Sequence, residues 1–304
     1  MLLLTEQVLN GLQLGIMLFL MSAGLTLVFG IMQVINLAHG SFYMIGAYVG
    51  ATVTAHTGSF VLGLLAALPA AALAGMLVEV LVLRRLYKKA HLDQVLATFG
   101  LIMFFNELTR IIWGRQPLFM DVPAWLAGSV EIIPGIPYPS YRVAVIAVGI
   151  LVGALLYLIF TRTRLGMQIR AGASNREMAG ALGVNIRLLY TLVFGLGTLL
   201  AGLAGVMAGP ILAVEAGMGE SVLILTFVVI VIGGIGSIRG ALVGALLVGL
   251  VDTLGRAFLP MLLRFFFNAA YADGIAASLA SMSVYILMAA ILIFRPKGLL
   301  PAHA

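Results

Sequence analysis

Polar side chains able to do chemistry are scarce in this sequence, and those present are grouped. Asn36, His39 and Ser41, with Gly40 between them and Tyr43 just beyond, interrupt two apolar runs. A carboxamide and an imidazole placed there can exchange hydrogen bonds with a passing solute. The plain alternative makes Asn36 a helix cap and His39 an ordinary interfacial residue. A lone histidine also suggests a metal ligand, but no His, Asp or Glu partner stands at ligand spacing, so no metal is expected. A second group, Gly233-Gly234-Ile235-Gly236-Ser237, offers a glycine turn between apolar runs. Asp252 is the one carboxylate well inside an apolar run. It is either a cation-coupling group or a structural hydrogen-bonding group.

Much chemistry is excluded. There are no cysteines, which removes disulfides, iron–sulfur ligation and thiol catalysis. No H-E-x-x-H, G-x-S-x-G or P-loop pattern occurs. Paired aspartates on facing spans are missing too. The chain is therefore not expected to be an enzyme, to hold a cofactor or to hydrolyse nucleotide itself.

The elements that must position these groups are apolar. The chain is 62% hydrophobic and 9% charged, whereas soluble domains carry about 25% charged residues. Apolar runs of membrane-crossing length recur, at about 8–29, 60–83, 94–112, 143–160, 189–207, 241–258 and 276–294. Shorter pieces lie at 42–55 and 222–232. Together they predict an all-α polytopic membrane protein of about eight to nine transmembrane helices. One is a discontinuous helix broken near Asn36–Gly40. Such breaks mark substrate sites in transporters. Residues 1–304 read as a single transmembrane domain, and no strands are required. The loop 113–141 holds Pro117, Pro123, Pro134, Pro137 and Pro139 and is expected to be irregular. Trp113 and Trp125 suit an interfacial belt. The N-terminus has no basic region and carries Glu6, so no cleaved signal peptide is expected.

The longest polar interruption, 161–188, carries Arg162, Arg164, Arg170, Arg176 and Arg187 and the acid Glu177. Ser174 to Glu177 fits a capping box, with Ser174 as the cap and Glu177 reaching back. Gly183 suits the left-handed residue that ends a helix. A helix of about eight residues follows, with Met178, Ala181 and Leu182 on one face. A helix resting on lipid headgroups is the plain alternative.

Basic residues cluster at 84–89, 162–187 and 295–297, which places those loops in the cytoplasm. Glu79 sits one turn before the first cluster and is expected to pair with it. The net charge of +6 thus reflects orientation rather than nucleic-acid binding.

Three motifs carry a resemblance. Glu177-Met178-Ala179 followed by Gly183 resembles the EAA loop of ATP-binding-cassette importer permeases, with Met178 where alanine is usual. Asn36-Leu37-Ala38-His39-Gly40 is similar to the N-x-A-H-G signature of branched-chain amino-acid permeases, and Gly233 to Ala241 to their G-G-x-G-S-x-x-G-A segment. In this order, over about residues 10 to 300, they resemble the LivH-like branch.

The resemblance implies a permease subunit of an importer for branched-chain amino acids in a bacterial or archaeal cytoplasmic membrane. Urea, short-chain amides or other amino acids are alternative substrates, and an ion-coupled secondary carrier is the rival class. It further implies a second homologous permease, two cytoplasmic ATPase subunits and a periplasmic or lipid-anchored binding protein. Ser174, Arg176, Glu177, Met178, Ala179 and Gly183 would couple to the ATPase. Asn36, His39, Gly40, Tyr43, Gly233, Gly234, Gly236 and Ser237 would line the pathway.

Overall fold

The computed structural model describes residues 2–133 and 135–302. Pro134, one of the loop prolines above, lies outside them, as do Met1, His303 and Ala304. The helices follow the apolar runs. They are α1 (Leu2–Met32), α2 (His39–Thr57), α3 (Phe60–Val78), α4 (Arg84–Leu86), α5 (His91–Trp113) and α6 (Ser140–Arg162). Then come α7 (Arg164–Ser174), α8 (Arg176–Ala181), α9 (Ile186–Ala208), α10 (Met218–Gly233), α11 (Ile238–Leu263) and α12 (Ala269–Phe294). Among the described residues, seven spans are long and apolar enough to cross a membrane, α3 and α4 counting as one. With α2 (19 residues) and the apolar α10 (16 residues), the set accords with the eight to nine expected.

Three features depart from the sequence reading. The proline-rich loop is not wholly irregular: β1 (Ser129–Ile133) pairs antiparallel with β2 (Ile136–Pro139) in a hairpin. Prolines at 137 and 139 are compatible with it, because a two-stranded ribbon consists only of edges. The polar interruption holds two helices, α7 and α8, rather than one. And the short run 42–55 extends to a 19-residue helix, roughly 28 Å long at 1.5 Å per residue.

The chain packs as two compact units. One comprises Leu20–Pro123 and Ile150–Ile224. Its core is the second half of α1 with α2, α3 and α9, packed at glycines. A Cβ at Gly24 would strike the backbone of Gly197, one at Gly46 the backbone of Gly202, and one at Gly205 the backbone of Tyr43. Membrane helices gain little from excluding water, so close backbone approach supplies the packing. Substituting Gly46→Val should therefore strip the protein of monodisperse, detergent-stable material. Overpacking of this sort costs on the order of 1–3 kcal/mol even where side chains can yield, and here backbone is struck. Gly100→Ala, with nothing within 4 Å of the added methyl, should behave as wild type in the same size-exclusion assay.

The other unit comprises Met1–Phe19, Ala124–Gly149 and Leu225–Ala304. Here the first half of α1 meets α11, where Gly11 and Gly15 abut Gly249, Leu250 and Ala245. The Asn10 side-chain oxygen accepts from the Tyr138 hydroxyl at 3.1 Å and from Arg142, fixing the hairpin to α1. The C-terminal segment returns to the end of α10, where Leu299 and Leu300 N–H groups donate to the Ile232 and Gly233 carbonyls, both at 2.9 Å.

Candidate functional site

The break between α1 and α2 is built by a few local bonds. Gln33 adopts a left-handed conformation (φ 53°), unusual for a residue with a side chain. The Asn36 side-chain oxygen accepts from the Ala38 N–H at 3.1 Å, an Asx turn that stops the backbone from continuing as helix. α2 then starts at His39, and Ala38 gives it no side-chain cap. Asn36 and His39 are completely buried. The Asn36 amide nitrogen and both His39 ring nitrogens lack a hydrogen-bond partner among the described residues, although the Met21 backbone is a polar neighbour of the ring. Buried polar groups are nearly always satisfied, so three orphans in four residues call for an explanation.

Side-chain contacts fix the level of this break. Phe42 stacks obliquely on Phe105 at 5.8 Å, Thr109 meets the Met44 sulfur at 3.9 Å, and the Trp113 indole donates to Thr52 at 2.7 Å. α2 and α5 therefore run side by side in the same direction. The N-terminus of α2 lies level with the middle of α5, which is the depth expected of a discontinuous helix. Gly40 there touches the backbone of Gly219, at the start of α10; neither position has room for a Cβ. Two helix N-termini thus converge inside this unit. Beside them the Asn106 amide donates to Glu220 at 2.6 Å. Tyr43 is buried in the adjoining turn, its carbonyl against Gly205.

The glycine turn lies in the other unit and has its own structural account. Gly234 and Gly236 take positive φ (107° and 82°). Gly233 abuts Gly240, and Gly234 abuts Pro301. Ser237 caps α11, its hydroxyl accepting from the Gly240 N–H at 3.1 Å. Packing and capping alone account for glycine and serine here. Asp252 is not isolated either, because Arg256, one turn on, donates to it at 2.9 Å.

In the basic segment the cap moves by one residue. Ser174 is the last residue of α7, and Asn175 both closes α7 and caps α8, its side-chain oxygen accepting from the Met178 N–H at 2.9 Å. The capping box is therefore corrected: once α7 runs through Ser174, that serine is helical and cannot cap. Glu177 has no hydrogen-bond or ion-pair partner among the described residues, and Arg176 opens the helix, exposed. Gly183 ends it as expected, with φ 90° and the Val184 N–H bonded to the Ala179 carbonyl at 3.0 Å. α8 spans six residues. Ala179 faces inward at 3% exposure, while Met178 (59%) and Leu182 (79%) are presented outward.

Sequence reasoning finds the Glu79–Arg84 pair but not its full extent. The chain passes through a π-turn at Glu79–Leu83. This turn brings Arg84 and Tyr87 back onto the fully buried Glu79 carboxylate. Tyr87 donates at 2.5 Å and Arg84 at 2.9 and 3.2 Å, and Thr191 of α9 donates at 2.7 Å. Burial and the Glu79 carboxylate push the Tyr87 hydroxyl far above the usual tyrosine range. Thr191 and the Asn106–Glu220 pair lie more than a hundred residues from their partners, and no periodicity signals such contacts. No cluster of three His, Cys, Asp or Glu side chains that could hold a metal occurs among the described residues.

Long apolar helices closed by glycine contacts and interrupted by a polar break define a multi-pass membrane protein. Residues 7–294 match the family described as branched-chain amino acid transport system / permease component, and the chain belongs to that family. It is similar to the high-affinity branched-chain amino acid transport system permease protein BraD of Pseudomonas aeruginosa, with 31% identity over 97% of this chain and 95% of that one. The corresponding LivH of Escherichia coli K12 is 29% identical over 97% and 94% of the two chains. A probable LivH of Methanocaldococcus jannaschii is 28% identical over 93% and 88%. Among solved structures there is no significant match.

Proposed function

We propose that this chain is the translocation subunit of an ATP-driven importer of branched-chain amino acids, itself hydrolysing nothing. It forms the pathway with a second, homologous permease. Two separate ATPases supply the force, and an external binding protein delivers the solute. The observation that carries this reading is α8: a short helix in a basic segment, stopped by Gly183, with Met178 and Leu182 turned outward. Apolar side chains exposed in a polar loop suit a protein groove better than water. Ser174, Arg176, Glu177, Ala179 and Gly183 frame that helix. Asn36, His39, Gly40 and Tyr43 are the pathway stations we favour, since orphaned polar atoms at depth can serve a solute that has shed its water. The 233–237 turn is a weaker station, its glycines being accounted for by packing.

Substrate class follows the names of the relatives. Urea, short amides or other amino acids would suit the same architecture. An ion-coupled carrier is disfavoured, because Asp252 already has Arg256 as its cation. The test is reconstitution of the chain with two ATPases, a second permease and a binding protein of the same kind of system. Leucine, isoleucine and valine uptake should require ATP and should persist when ion gradients are collapsed. Uptake that survives without ATP but vanishes with the gradient would refute the proposal.

A further inference from the structure

Glu220 differs from the four helix carboxylates that hold an arginine. Glu79, Glu107, Asp252 and Asp273 each hold an arginine, at 2.5–2.9 Å. Glu220 holds a neutral carboxamide instead. Its Oε1 accepts from the Asn106 amide at 2.6 Å, and its Oε2 has no partner among the described residues. The side chain is exposed at the surface of its unit. It lies in the first turn of α10, where the free N–H groups of a helix start favour negative charge. The depth is equally specific. Asn106 lies seven residues before the end of α5, roughly 10 Å inside it at 1.5 Å per residue. A carboxylate is thus held beside the inner part of α5, oriented by one bond and left with an acceptor to spare.

Its surroundings define what it can take. A dent beside the pair is lined by Leu37, Met44, Ile102 and Leu223 as well as by Gly40 and Gly219. Aliphatic walls beside a lone carboxylate match a cation with a branched hydrocarbon attached. We propose that Glu220, oriented by Asn106, receives the ammonium group of an aliphatic amino acid during translocation, with Leu37, Met44, Ile102 and Leu223 taking its side chain. The dent is too shallow to enclose such a molecule, so it is one wall of a site completed by the facing permease. This rests on the import reading above and goes beyond it in naming the residue that reads the charge.

The test uses the complete reconstituted importer and radiolabelled leucine. Glu220→Gln keeps the shape and a bond to Asn106 but removes the charge. It should co-purify with its partners and lower leucine uptake about tenfold, in line with the loss of one charge-assisted hydrogen bond. Glu220→Asp should recover part of the loss. Glu107→Gln, which removes an exposed acid one residue from Asn106, should transport as wild type. Wild-type uptake by Glu220→Gln overturns the assignment while leaving the import reading intact. Failure of Glu220→Gln to co-purify with the second permease also overturns it, by making Glu220 an interface residue. No leucine uptake by the unaltered complex defeats both.

Discussion

Replacing Met178 and Leu182 together with aspartate should abolish ATP-driven uptake while leaving the permease folded in the membrane. Both side chains point outward from α8, at 59% and 79% exposure, so neither supports the permease itself. Their value lies in what they meet. Fully burying a Met or Leu side chain contributes about 1.5–3 kcal/mol. Losing two such contacts weakens docking by roughly 3 kcal/mol or more, over a hundredfold in affinity. Aspartate adds a desolvation penalty in any apolar groove. The measurement is ATPase co-purification in detergent together with uptake in proteoliposomes, and both should fall together. Ala179→Asp is the instructive contrast: at 3% exposure its methyl packs inward, so that change should lower yield of the folded chain. A Met178/Leu182 double variant that retains its ATPases and imports at the normal rate would refute the docking role of α8.

How far the fold could be read in advance depended on the kind of signal each element leaves. Apolar runs locate the long helices, because a spanning segment must satisfy its own backbone and must be oily throughout. Boundaries were less legible. α2 begins at His39 rather than near Phe42, since nothing in local composition separates a buried helical turn from a break. The N-terminal limit of α12 is likewise earlier than its apolar run suggests, at Ala269, because Asn268 caps it. The shift of the α8 cap from Ser174 to Asn175 has a similar cause. Both residue types cap well, and the choice was made by how far α7 extends. α7 went unnoticed because its arginines mask an amphipathic pattern. The hairpin in the proline-rich loop was missed because proline argues against strands in sheets with neighbours on both sides, not in a two-stranded ribbon. For the site, spacing alone singled out Asn36, His39 and Gly40. It could not supply Gly219, Asn106 or Glu220, whose approach depends on α5 and α10 folding against α2. Glycine patterns were ambiguous in the same way: Gly233 and Gly240 read as a candidate site motif, and they also make close backbone contact.

The Glu79 cluster should be the most costly polar site to break. Glu79 is fully buried and receives hydrogen bonds from Arg84, Tyr87 and Thr191. Glu79→Ala leaves the Arg84 guanidinium without its carboxylate and removes the acceptor for Tyr87. Removing one partner of a buried pair typically costs about 3–5 kcal/mol. The Arg84 side chain keeps 33% exposure, so water can recover part of the loss and the lower end of that range applies. The expected result is a large drop in detergent-solubilised thermal stability. Thr191→Val, which removes a single donor, should cost about 1 kcal/mol. The informative variant is the double change Glu79→Leu with Arg84→Leu. If the penalty of Glu79→Ala comes from an orphaned charge, removing both charges should recover much of the stability. If it comes from the lost connection between the end of α3 and the start of α9, the double variant should be no more stable than the single one. Thr191 would then keep only the Arg187 carbonyl as acceptor in both. The segment that follows α8 enters α9 at Ile186, five residues before Thr191. The outcome of this comparison therefore decides whether the base of the basic segment is fastened to α3 by charge complementarity or by a specific hydrogen-bonded link.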